Sequence, residues 1–314
     1  MEIIDGQDTD IGGGASSEPK ASGAVEIRAP EHQSVPVVFA SPHSGRDYAE
    51  AFLRASKLDP IALRQSEDAF IDELFADVPD HGAPLIHALF PRAYVDVNRE
   101  ALELDPRMFA DRLPDEANTS SPRVNAGLGT IARIVSNGQE IYQGKLSFAE
   151  ASARIDACYH PYHRALRALI AKTLDRFGQC LLIDCHSMPS IPVNQRGGLF
   201  ESKRAKSDTT PDVVLGDCWG RACSPRVAEL VETAIGNAGL QTRRNVPYAG
   251  GFTTRNYGRP DEGVHAIQIE LRRDLYMNEG AVERSNDFAA FARQVNAIVG
   301  EICQGAADAL VAAS

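Results

Sequence analysis

The chain has 314 residues, a formal net charge of −11 and 43% hydrophobic residues, enough apolar side chains for a sizeable buried core. The acidic balance, with no basic tail or stripe to offset it, argues against a nucleic-acid partner. No run of 18 apolar residues is present, so no membrane span is expected.

Residues 1–24 open with MEIIDGQDTDIGGG, acidic and rich in glycine. They are expected to form a disordered tail, not a signal peptide, because no basic region precedes an apolar stretch. Residues 25–314 are expected to form a single catalytic domain. Without a secretion signal, the six cysteines read as reduced thiols and the location as cytoplasmic. Cys218 and Cys223 are five apart, a spacing that fits no strong zinc pattern.

Val35–Ala40 reads as a buried strand. Pro60–Phe75 has helical apolar spacing through Ile61, Leu63, Phe70, Ile71, Leu74 and Phe75. Pro84–Leu89 and Ala93–Val97 read as strands. Phe148–Phe177 carries a long helical stripe that Pro161 can kink or divide. Strands are predicted at Cys180–Asp184, Val213–Leu215, Leu240–Val246 and Ala266–Leu271, with helices over Pro225–Ala238 and Ala281–Ile302. Strands alternating with helices predict an α/β fold, a mainly parallel sheet with helices on both faces. Leu102–Asn125 and Ser187–Pro211 are long irregular stretches, of the kind that form binding loops.

Ligands of open α/β sheets bind beyond the carboxyl ends of the strands. Three polar clusters fall at such ends: SPHSGRDY from Ser41, DCHSMPS from Asp184, and HAIQIELRR from His265. His43 and His186 are therefore candidate metal ligands, since catalytic zinc commonly takes two histidines and a carboxylate. Asp68, in SEDAFIDEL, is the first choice for the third ligand, with Asp47 and Asp72 behind it. In AIQIEL, alternation puts Ala266, Gln268 and Glu270 on one face and Ile267, Ile269 and Leu271 on the other. A carboxylate inside a strand is costly unless paired or used, which makes Glu270 the candidate general base. A salt bridge from Glu270 to Arg272 or Arg273 is the alternative.

In FPRAYVDVNRE, Arg92 can polarise a carbonyl, and Asn98 with Arg99 can grip a substrate carboxylate. Asp96 and Arg99 can instead form a structural pair. Arg133 and Arg255 are candidate second contacts for an anionic substrate. RVNAGLGTIAR lacks the full dinucleotide fingerprint, and HPYH at His160–His163 reads as a packed segment.

These stretches together resemble the N-formylglutamate amidohydrolases. SPHSGRDY, EDAFIDELF, GAPLIHALFPRAYVDVNREALELDPRMF, RVNAGLGTIARIV, YHPYHRAL, LIDCHSMPS, NVPYAGGFTTRNYG and HAIQIELRRDLYM carry the resemblance, in order, from about residue 37 to 277. It implies a fold like that of zinc carboxypeptidases and aspartoacylases, of the phosphorylase/hydrolase-like kind, with a mixed sheet. It also implies a Zn²⁺ or other divalent metal and the hydrolysis of N-formyl-L-glutamate to formate and L-glutamate in histidine degradation. The partner is then a small anionic N-acyl amino acid, and a homo-oligomer is left open. Two other readings are a related amidohydrolase acting on another N-acyl amino acid and a non-catalytic amino-acid-binding protein. The wider group often has His-x-x-Glu after its first strand; Arg46 stands at that place here, which is why the third ligand is sought at Asp68.

Overall fold

A computed structural model describes residues 23–190 and 210–311. The expected N-terminal tail therefore lies almost wholly outside the described residues, as does most of Ser187–Pro211. The core is a mixed seven-stranded sheet: β1 Val25–Arg28, β2 Val37–Ser41, β3 Leu85–Ala88, β4 Cys180–Met188, β5 Val213–Gly216, β6 Thr242–Arg244 and β7 Val264–Arg272. The spatial order is β1-β3-β2-β4-β7-β5-β6. The pairs β3–β2, β2–β4, β4–β7 and β5–β6 are parallel, whereas β1–β3 and β7–β5 are antiparallel.

Both sheet faces are covered, as the apolar runs predict for a mainly parallel sheet. Val37, Phe39, Leu181, Ile183, Ile267 and Ile269 point into one core with the helices Pro225–Asn237 and Phe288–Val311. Val38, Ala40, Ile86, Leu182 and Ala266 point the other way, onto Tyr162, Leu166 and Ile170 of the helix His160–Phe177. The chain leaves β2 towards β3 on one side and comes back to β4 on the other. The carboxyl ends of β2 and β4 thus flank a topological switch point, where a crevice opens.

Three local departures from the sequence reading have physical reasons. The predicted helix Pro60–Phe75 is two short helices, Pro60–Arg64 and Ile71–Leu74. Between them the Asp68 amide donates to the His43 carbonyl at 3.0 Å, and Phe70 adopts a left-handed conformation (φ 67°). Ala93–Val97 is not a strand; its Asp96 amide bonds the Thr130 carbonyl at 2.8 Å instead of a sheet neighbour. The long helix, by contrast, is interrupted where the sequence reading allows: it widens to a π turn over Ile155–Tyr159 before Pro161, which has no N–H to continue the ladder. The predicted strand Leu240–Val246 shrinks to β6 because Asn245 takes a left-handed φ of 61°. The last helix runs from Phe288 to Val311, later than predicted at both ends.

Candidate active site

His43 follows β2 directly, in Ser41–Gly45. A Cβ on Gly45 would lie 2.2 Å from the Phe90 carbonyl oxygen, so glycine lets this turn pass tightly over the segment after β3. His186 lies in β4, paired in register with Glu270 of β7, while Asp184 pairs with Gln268. Alternation puts Asp184, His186, Gln268 and Glu270 on the face that Leu182 and Ala266 share. Asp68 enters from the break between the two short helices.

Three ligand atoms converge there. His43 Nδ1 lies 3.1 Å from His186 Nδ1 and 3.3 Å from Asp68 Oδ2, and His186 Nδ1 lies 3.0 Å from the same oxygen. All three residues are buried, and they are the one group of this kind among the described residues. A tetrahedral ion with bonds of about 2.0–2.1 Å holds its ligand atoms about 3.3–3.4 Å apart. The observed triangle is close to one face of such a shell, and two imidazoles with one carboxylate suit a divalent metal.

The residues behind the triangle set its chemistry. Asp96 Oδ1 accepts from His43 Nε2 at 2.8 Å, which leaves the Nδ1 lone pair facing inwards. The Asp184 carboxylate stands 3.1 Å from His186 Nε2, though neither of its oxygens has a well-aligned hydrogen bond. We regard the contact as mainly electrostatic. Asp68 Oδ1 is held by Arg273 Nη2 at 3.0 Å and Ser187 Oγ at 3.2 Å, so that Oδ2 is the oxygen presented to the imidazoles.

Charge is concentrated here. Burial alone would raise the Asp68 pKa, but the close contacts with the imidazoles of His186 and His43 hold it well below the usual carboxylate range. Burial likewise opposes ionisation of Asp96, and the charges of Arg99, His43 and Arg92 outweigh it. For His186, burial would lower the pKa, but the neighbouring Asp184 charge raises it well above the ordinary value. For Glu270 the compensation is incomplete: burial pushes it up to about 8 despite the opposing charges of His186, Arg92 and Arg273, and it accepts from Gln268 Nε2 at 2.7 Å. A carboxyl poised near neutrality suits acid–base work.

The triad opens onto a cavity of about 520 Å³, lined among others by Arg92, Asn98, Arg99, Arg123, Glu270 and Arg273. Arg92 Nη2 donates to Asp96 Oδ2 at 2.9 Å. Asn98 has both ends of its amide engaged: Oδ1 accepts the Thr253 amide at 2.7 Å, and Nδ2 faces His186 Nε2 at 3.3 Å. Arg273 pairs with Asp68 rather than Glu270, contrary to the alternative drawn from the sequence.

Arg133 and Arg255 do not line this cavity. Arg133 is tied to Asp105 at 3.0 Å and Glu140 at 3.2 Å, and Arg255 is exposed, donating to the Gly250 carbonyl at 3.3 Å. Of the lesser ligand candidates, Asp72 pairs with Arg46 at 3.1 Å and Asp47 is exposed. His163 is buried, bridging the Val97 carbonyl and the Tyr257 hydroxyl, each at 2.8 Å. Cys218 and Cys223 are free and buried.

No motif assigns a role to Asp184 or Gln268, although alternation along their strands puts them beside His186 and Glu270. The spacing of Asp96 suggests only a pair with Arg99. No motif singles out Arg123, although its stretch Leu102–Asn125 reads as a binding loop, and Arg273 figures in the sequence only as a possible partner of Glu270.

The N-formylglutamate amidohydrolase family model matches residues 35–277. An N-formylglutamate deformylase of Pseudomonas aeruginosa is 30% identical over 251 residues, spanning 79% of this chain and 84% of the relative. Its Pseudomonas putida counterpart is 28% identical over 253 residues, with the same coverage. The crystal structure of N-formylglutamate amidohydrolase from Ralstonia eutropha JMP134 superposes with a TM-score of 0.82 at 34% identity, covering 90% of this chain and 98% of that one. A gene product of Agrobacterium tumefaciens, 19% identical with a TM-score of 0.60, has a similar fold.

Proposed function

The chain belongs to the N-formylglutamate amidohydrolase family, and on that footing we propose that it hydrolyses N-formyl-L-glutamate to formate and L-glutamate. The observation that carries the reading is the convergence of His43, Asp68 and His186 beside Glu270, in a cavity furnished with arginines. His43, Asp68 and His186 would hold a divalent metal, and zinc is our choice for two imidazoles and a carboxylate. When bound, the metal supplies Lewis acidity, which favours ionisation of water and polarises the formamide.

The protein's own groups account for the remaining steps. Glu270 takes a proton from the attacking water as its oxygen bonds to the formyl carbon. Arg92 offers its guanidinium to the negative charge that then develops on the formyl oxygen. As the C–N bond breaks, Glu270 returns the proton to the departing nitrogen. Asn98, which faces His186, and Arg99, which lines the same cavity, would position the α-carboxylate end of the substrate. We also place the reaction in the cytoplasm; no helix among the described residues is long and apolar enough to cross a membrane.

The test is formate release from N-formyl-L-glutamate against a panel of other N-acyl amino acids. Chelation should abolish activity and added zinc should restore it. Preference for another acyl group would redirect the reading to a related amidohydrolase. Ligand binding without turnover by the zinc-loaded protein would end it.

A further inference from the structure

The cationic side chains of the cavity are not equally committed. Arg92 and Arg99 share Asp96 Oδ2, at 2.9 and 3.5 Å. Arg99 is further anchored by the carbonyls of Leu128 at 2.9 Å and Asn98 at 2.6 Å. Arg273 is consumed by Asp68, Ser187 and the Glu67 carbonyl. Arg123 lines the same cavity and, among the described residues, has no hydrogen-bond or ion-pair partner. Its five N–H donors remain available to a ligand.

The backbone beneath Arg123 is nevertheless held. Ser121 Oγ caps the Val124 amide at 3.0 Å, and the Leu128 amide donates to the Arg123 carbonyl at 2.8 Å. The Leu128 carbonyl that anchors Arg99 belongs to the same turn, so one short segment carries the Arg123 guanidinium and holds that of Arg99. Burial lowers the Arg99 pKa to about 10; Asp96 opposes the fall, while the charges of Arg92 and Arg123 add to it. Two guanidinium groups sharing one carboxylate, with a third, unpartnered among the described residues, lining the same cavity, leave a positive balance that suits an anion.

Position indicates which anion. Asn98 is buried against His186 and Arg99 is buried next to it in the chain, whereas Arg123 is exposed where it lines the cavity. The formyl carbon must reach the His43–Asp68–His186 triangle and Glu270. The α-carboxylate, two bonds from the amide nitrogen, then lies deep in the cavity, and the side-chain carboxylate points outwards.

We infer that Arg123 is a specificity-determining residue that binds the side-chain carboxylate of the substrate, an inference that rests on the deformylase reading. The test compares N-formyl-L-glutamate with N-formyl-L-glutamine, whose side chain ends in a neutral amide, for wild type, Arg123→Met and Arg123→Lys. Arg123→Met should lower kcat/KM for the glutamate compound by about 10- to 100-fold, chiefly through KM, the worth of one charge-assisted contact. The glutamine compound should change by less than about threefold, because it never had that contact, and Arg123→Lys should recover part of the loss. Equal losses on both compounds, or none on the first, would overturn the assignment while leaving the deformylase reading intact. A wild-type protein that releases no formate from either compound would overturn both.

Discussion

Replacing Glu270 by glutamine tests the general base and its electrostatic setting together. The exchange keeps the side-chain volume and a hydrogen bond to Gln268, but it removes the group that ionises. A general base typically contributes about 10²–10⁴-fold, and kcat should fall by that range while zinc content and KM stay near wild type. The structure also predicts a stability signature in the metal-free protein. Burial raises the carboxyl from 4.5 to about 8, a difference of about 5 kcal/mol between its two charge states. A raised carboxyl adds stability in full below its unfolded value and loses it as pH climbs through its folded value. Wild type should therefore lose up to about 5 kcal/mol relative to Glu270→Gln between pH 4.5 and 8 or slightly above, with the other titrating groups common to both proteins. Urea titrations of chelator-treated protein at a series of pH values measure this gap. With metal bound, the nearby cation lowers the Glu270 pKa, and turnover should rise with pH through a midpoint below about 8. Turnover within about fivefold of wild type, or a stability gap flat with pH, would refute the reasoning.

Three further outcomes are expected. Asp96→Asn removes the negative charge that holds the His43 ring and weakens the ion pairs with Arg92 and Arg99; zinc affinity, read by competition with a chromogenic chelator, should drop about 10- to 100-fold. Gly251→Ala places a Cβ 2.2 Å from Asn98 Nδ2. It should displace Asn98 from the Thr253 amide and from His186, lowering kcat/KM more than about tenfold while destabilising the fold by about 1–3 kcal/mol, measured by formate release and thermal melting. Arg133→Ala breaks pairs with Asp105 and Glu140 away from the cavity, so KM should hold while the protein loses about 1 kcal/mol; a large rise in KM would restore Arg133 to the substrate site.

Strand periodicity and residue type settled much of this protein in advance. The apolar runs at Val37–Ser41, Cys180–Met188 and Val264–Arg272 are buried strands, because a sheet covered on both faces demands unbroken hydrophobicity. Where those runs give way to His43, His186 and Glu270, period-two alternation already fixes which side chains share a face. Other features depended on contacts between residues distant in sequence. Local spacing runs a helix straight through Asp68; the His43 carbonyl and the two imidazoles instead hold that segment open, and no propensity records their pull. Arg133 and Arg255 looked like substrate contacts because an arginine's charge is visible in a sequence and its partners are not. In the folded chain Asp105 and Glu140 occupy the first and the second is exposed outside the cavity, while Arg123, 24 residues beyond Arg99, is carried to the rim by a turn that the sequence leaves without regular structure. The sequence determined which strands end in reactive side chains. Only the tertiary structure decided which charges neutralise one another and which are left to meet a ligand, because that pairing is a property of distance in space.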